Sequence, residues 1–189
     1  MEQKMFCYQC EQTVGCSACT GAAGVCGKKA DTAKLQDKLT GALIGLARAL
    51  DGDPGLATAQ TNELVIESLF MTLTNVNFDA VSLKKLIGQV LYERNALKGV
   101  TSDTAAETEK LLATAPSPDK FAEDADVRSA MQIILFGLKG VSAYAYHAAR
   151  LGKRDHDMVL DMCRLLTAAA DDGTNRGLND WLGLALYCG

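Results

Sequence analysis

Thiols are the residues in this chain best equipped for chemistry, and they are crowded at one end. The stretch CYQCEQTVGCSACTGAAGVC, Cys7 to Cys26, holds five of the seven cysteines. It contains two CxxC pairs, Cys7/Cys10 and Cys16/Cys19, followed by Cys26. A CxxC loop lets two thiolates reach one centre, and the deprotonated sulfur is a soft ligand for zinc or iron. Structural zinc uses two such knuckles, and the two pairs supply them. The EQTVG loop between them has only five residues, against about 12–20 in typical four-cysteine zinc modules. An iron–sulfur cluster is larger, and its ligand corners lie further apart. Cysteines on an irregular loop suit it, with backbone N–H groups free to bond the sulfides. Gly15, Gly21, Gly24 and Gly27 fit such a loop. Zinc and a cluster both stay open on spacing alone, the cluster being the better fit. Spacing does not fix the cluster type. Disulfides are disfavoured, because the cysteine number is odd and the chain is too large to need covalent staples.

A segment so rich in Cys, Gly and small polar residues cannot build a core, so residues 1–30 form a cluster-binding head that other elements must hold. The rest reads as helix after helix, with no convincing period-2 alternation. Asp31 or Thr32 can cap a helix to about Leu50, in which Leu35, Leu39, Leu43, Leu46 and Leu50 recur at helical spacing. DGDPG breaks it. A second helix is expected over about Thr61–Thr74, apolar on more than one side. A third follows the turn TNVNFD, from an Asp79 cap to about Leu97, with Leu83, Leu86, Ile87, Val90 and Leu91 on one face. Residues 31–98 thus read as a first antiparallel bundle. Residues 99–126 are polar and irregular, with room for a short helix around Thr104–Ala113 before Pro116 and Pro118. Residues 127–189 read as a second bundle: a long apolar helix to Leu151, then helices near Asp155–Ala170 and Asn175–Cys188. Gly137 and Gly140 mark close packing or a kink in the long helix. The last segment, LNDWLGLALYC, reads as a helix cut short or one whose partner lies elsewhere. The fold class is all-α, an irregular Cys-rich N-terminal segment packed on two helical bundles.

Composition narrows the function. The 189 residues carry 19 basic and 23 acidic side chains, a net charge of −4 without long runs of either sign. Nothing suggests a nucleic-acid groove or a membrane surface. No apolar run approaches the ~18 residues of a membrane span. MEQKMFCYQC has no signal-peptide h-region, so a reducing, cytoplasmic setting is expected. There is no Ser/His/Asp arrangement, and TGAAGVCGK lacks the preceding strand of a phosphate loop. Cys163 lies on an apolar helix face and reads as a core residue, and Cys188 carries no assigned role. His147 reads as packed, His156 as solvated, Asn75 and Asn77 as turn formers. Tyr8 either shields the centre or is an exposed loop aromatic. Lys28 and Lys29 either offset the charge of a thiolate-bound group or are simply solvated.

The segments MFCYQCEQT, GVCGK and AKLQD strongly resemble the N-terminus of the hybrid-cluster protein family, the prismane proteins or hydroxylamine reductases. LVIESLFMTLTNVNFD and ILFGLKGVSAYAYHAA also resemble that family's N-terminal helical domain, so the resemblance covers essentially the whole chain. It implies a longer cytoplasmic oxidoreductase in which this domain relays electrons through a four-cysteine cluster. That cluster is 4Fe-4S in members with short cysteine spacing and 2Fe-2S in those with longer spacing. Carried over, the CxxC pair matches Cys7 and Cys10, and the cysteine of GVCGK matches Cys26. The remaining ligand, about six residues earlier, corresponds to Cys19, with Cys16 as the alternative. The resemblance places the catalytic hybrid Fe–S–O cluster in further domains, where hydroxylamine is reduced to ammonia or nitric oxide is handled. Its ligands are not in this chain, which is not expected to be active alone. The implied partners are those further domains or an electron-donor protein. A zinc-stapled helical interaction module without redox activity is the rival reading.

Overall fold

Short polar side chains set most helix starts in this chain. In the computed structural model, which describes residues 5–7, 10, 15, 18–73, 76–99, 124–171 and 175–188, Thr58 caps helix α2 (Ala59–Met71) in a capping box with Thr61. The Asp79 carboxylate accepts from Val81 N and Ser82 N at the start of α3 (Ala80–Leu97). Asp124 and Asp155 do the same for α4 (Ala125–Arg150) and α5 (His156–Ala168). Each cap satisfies backbone donors that the first turn leaves without a partner. Helix α1 (Ala30–Gly52) is the exception. Lys29 holds its N-cap position without a side-chain bond, since an ammonium has no lone pair to accept from the first-turn N–H groups, and its backbone pairs with Ala23 in the preceding loop. Asp31, expected as a cap, sits inside the first turn, where its charge still favours the helix N-terminus. Helix α6 (Leu178–Cys188) closes the set. The fold is all-α, with six α-helices and only two isolated β-bridges among the described residues.

Helix α1 packs against α2, α3 and α5, while α2 packs on α4 and α4 on α6. Helices from both halves of the chain therefore build one hydrophobic core, from Leu39, Leu43 and Leu46 through Leu69 and Ile87 to Met131, Leu166 and Trp181. Met5, Cys19, Ala30 and Ala33 form a second, much smaller apolar cluster, with Cys7 packed against it. Among the described residues no helix is long and apolar enough to cross a membrane. The expected short helix at Thr104–Ala113 lies outside the described residues.

Of the two glycines in α4, one is a packing device. A Cβ at Gly137 would stand 2.8 Å from Cys188 Sγ, whereas one at Gly140 meets nothing within 4 Å. Gly137→Ala should therefore lose stability, because an overpacking cost of about 1–3 kcal/mol exceeds the gain in helix propensity of about 1 kcal/mol. In a Cys188→Ala background the same change should become stabilising, a sign reversal that denaturant titration of the four chains reads directly. An equal loss in both backgrounds would place the clash elsewhere.

Candidate metal centre

The cysteine head folds back on itself through its main chain. Cys7 N donates to Cys19 O at 3.1 Å and Cys19 N to Cys7 O at 2.7 Å, with Met5 N donating to Gly21 O further along. Such a reciprocal antiparallel pair holds two Cα atoms about 5.5 Å apart, with the side chains directly opposite on one face. Two thiols separated by eleven residues are thus brought side by side without help from their side chains. Beyond Cys19 the loop turns through Gly24 and Gly27. Gly27 N donates to Gly24 O, Gly24 N donates to Lys28 O, and Gly27 adopts φ +83°, which favours glycine. A Cβ at Gly24 would crowd Met5 Cε at 3.2 Å and reach ordinary contact with Cys26 Sγ at 3.5 Å.

Cys19 is buried, Cys7, Cys10 and Cys26 are half-buried, and none of the six described cysteines is in a disulfide. The sequence-expected ligands Cys7, Cys10, Cys19 and Cys26 therefore share one segment as free thiols. Among the described residues, however, no three Cys, His, Asp or Glu side chains converge closely enough to hold a metal ion. Cys16 and Tyr8 lie outside the described residues. The donor chemistry fits an iron–sulfur group: four soft sulfurs, a main-chain ladder that pairs two of them, and a glycine turn beside a third.

The two lysines that follow Cys26 part company. Lys29 is exposed. Lys28 is 1% exposed, donates from Nζ to Gln36 Oε1 at 2.6 Å, and lies 5.8 Å from the centroid of the Phe78 ring. Gln36, wholly buried on α1, donates in turn to Asn77 O at 3.0 Å and Met71 O at 3.4 Å. One amide thus ties the cysteine loop to the turn between α2 and α3. Asn77 holds that turn as expected, accepting from Asp79 N and donating to Ser82 Oγ. Asn75 lies outside the described residues.

A second buried ammonium stands on α4. Lys139 is 4% exposed. Burial pulls its pKa down to about 8; Asp37 and the Cys7 sulfur work against that fall, and Lys28 adds to it. Sequence reasoning named neither Gln36 nor Lys139. The available signals were a glutamine among the leucines of α1, and a lysine inside the apolar run ILFGLKGV.

The remaining candidates have ordinary roles. Cys163 is buried in the core, and desolvation, with a smaller contribution from Asp51, pushes its thiol up to about 12. Cys188 packs at Gly137 and bonds Ile134 O through Sγ at 3.5 Å. His147 is exposed and lies edge-on to Phe70 and Tyr146. His156 is exposed and pairs through Nδ1 with Asn62 Nδ2 at 2.8 Å.

Comparison with known proteins gives a consistent picture. The sequence model of the Prismane/CO dehydrogenase family matches residues 5–189. A hydroxylamine reductase of Methanocella arvoryzae is 40% identical over 206 aligned residues, covering 98% of this chain and 37% of the relative. Hydroxylamine reductases of Lawsonia intracellularis and Desulfovibrio desulfuricans are 38% and 37% identical, with 98% and 100% of this chain covered. The chain spans 37% of the length of each.

Proposed function

The chain belongs to the Prismane/CO dehydrogenase family, and on that premise we propose that it is the iron–sulfur electron-relay part of a hydroxylamine-reducing oxidoreductase. The observation that carries the reading is the reciprocal Cys7–Cys19 pairing, with a buried lysine following Cys26 in the same segment. Cys7, Cys10, Cys19 and Cys26 would hold a 4Fe-4S cluster. When bound, that group supplies one-electron transfer. The chain's own residues do the rest. The ladder sets two thiols side by side, Gly24 turns the chain close against Met5, and Lys28 buries an ammonium two residues after Cys26. Breaking the N–O bond of hydroxylamine we assign to the remaining part of the full-length protein. Electrons would arrive from a donor protein in a reducing cytoplasm.

The deciding measurement is iron and acid-labile sulfide per chain after anaerobic purification. Wild type would be compared with Cys16→Ser and Cys19→Ser. Cys19→Ser should lose the cluster and Cys16→Ser keep it. Equal retention in both would remove the basis for the ligand choice. A colourless wild-type chain holding one tight zinc would overturn the relay reading.

A further inference from the structure

The end of the molecule that carries the thiols also carries a collar of exposed apolar side chains. Phe6 stands next to Cys7, Val25 next to Cys26, and Val76, Phe78 and Val81 mark the passage from α2 into α3. Their exposure runs from 37% for Val76 to 75% for Val81. Close contacts gather these segments into one place. A Cβ at Gly24 would meet Met5 Cε at 3.2 Å, so Met5 and Gly24 touch and bring their neighbours Phe6 and Val25 together. Gly24 N donates to Lys28 O at 2.8 Å, closing the turn that holds Val25. From the end of that turn Lys28 Nζ comes within 5.8 Å of the Phe78 ring centroid. Gln36, which accepts from Lys28 Nζ, donates to Asn77 O and so holds the Phe78 segment there. Val81 follows in the first turn of α3, where Asp79 accepts from its N–H. Single apolar residues on a surface need no explanation, but five gathered round one thiol-bearing segment mark an interaction surface.

A passing electron donor docks through a small interface, whereas permanent interfaces are larger and more apolar. A collar made of two phenylalanines and three valines fits the permanent kind. The chain spans only 37% of the length of the hydroxylamine reductases it matches, so a partner of that kind is at hand in the rest of such a protein. We propose that Phe6, Val25, Val76, Phe78 and Val81 form the face on which the remaining part of the full-length protein packs. The choice of this partner rests on the relay reading above; the packing itself needs no iron. Covered in this way, the cysteine segment meets its electron acceptor across a contact from which water is excluded. The electron that leaves the relay centre enters the part of the protein that reduces hydroxylamine.

The test compares the isolated chain with a completed protein, in which this chain is joined to the unmatched part of the Methanocella arvoryzae relative. Both are photolabelled without oxygen by a carbene-forming diazirine, and the labelled side chains are located by mass spectrometry. Labelling of Phe6, Val25, Phe78 and Val81 should be strong in the isolated chain and fall to near background in the completed protein. Val25→Asp with Val81→Asp should leave the melting midpoint of the isolated chain unchanged, because both side chains are already in water. In the completed protein the same pair would bury two unpaired carboxylates, so Phe6 and Phe78 should return to the labelling of the isolated chain. Should this completed protein fail to fold by circular dichroism, one built with the Desulfovibrio desulfuricans relative takes its place.

Equal labelling of the collar in the isolated and completed proteins would overturn the proposal. Shielding that grows with the concentration of the isolated chain would assign the face to a second copy instead. Shielding that appears only when a reduced donor protein is added would assign it to the donor, and either result overturns the packing. Iron and sulfide are counted on the same samples. A shielded collar on a chain without iron would remove the relay reading and keep the interface, and a fully labelled collar on an iron-loaded protein would do the reverse.

Discussion

Cys7→Ser, reconstituted with iron and sulfide in the absence of oxygen, should bind essentially no cluster while its helical circular dichroism and melting midpoint stay close to wild type. Both halves of that result follow from the geometry. The bonds that align Cys7 with Cys19 run between main-chain atoms, so a serine at position 7 can keep the pairing. What it removes is the soft thiolate, and an alcohol that stays protonated at neutral pH is a poor substitute ligand for iron. Cys7 also lies at the margin of the small apolar cluster, not in the main core. Wild-type iron and sulfide content in the variant would exclude Cys7 as a ligand. A collapse of helicity would instead show that the thiol is a structural residue.

The second large effect concerns the other end of the chain. Trp181→Ala should cost about 3–5 kcal/mol, the usual range for deleting a buried large aromatic. Trp181 is wholly buried, and among the described residues it and Cys188 are the only buried side chains of α6. Leu178, Leu182, Leu186 and Tyr187 of the same helix are exposed. The largest apolar contribution of α6 to the core is therefore one indole, beside the smaller Cys188, Leu184 and Ala185, and the Arg176 guanidinium lies 5.2 Å from its ring centroid. The indole Nε1 has no hydrogen-bond partner among the described residues, so Trp181→Phe sheds an unsatisfied donor along with some volume and should lose much less. Limited proteolysis should find the α6 boundary cut readily in Trp181→Ala and slowly in Trp181→Phe. Equal resistance would show that α6 is held by something other than its tryptophan.

The helices were legible in the sequence because leucine periodicity and polar caps are local signals. Asp79 and the run from Leu83 to Leu91 predict α3 nearly to the residue, and the break at DGDPG ends α1 where expected. The start of α1 was misjudged for a physical reason. Lys29 is held by pairing with Ala23, a contact no helix-capping rule contains. The thiols were legible by type and spacing. Their surroundings were less so: Lys28 and Lys29 are adjacent and chemically identical, and the Gln36 amide and Phe78 ring that receive the buried one are distant in sequence. Lys139 could not be placed at all, since the apolar run around it says that it is buried but not beside what.

The separation between the two apolar clusters bears on the order of maturation. Nearly all the buried hydrocarbon belongs to the helices, so their folding draws its free energy from a source that does not involve the thiols. Among the described residues the head is held by a small apolar cluster, a few main-chain bonds and the Lys28–Gln36 bond, far less buried hydrocarbon than the helices share. Delivery of iron and sulfide would then act on a finished scaffold, tightening a local fold instead of triggering a global one. Damage should be equally local: oxygen or a chelator that strips the centre would leave a folded chain ready to be reloaded.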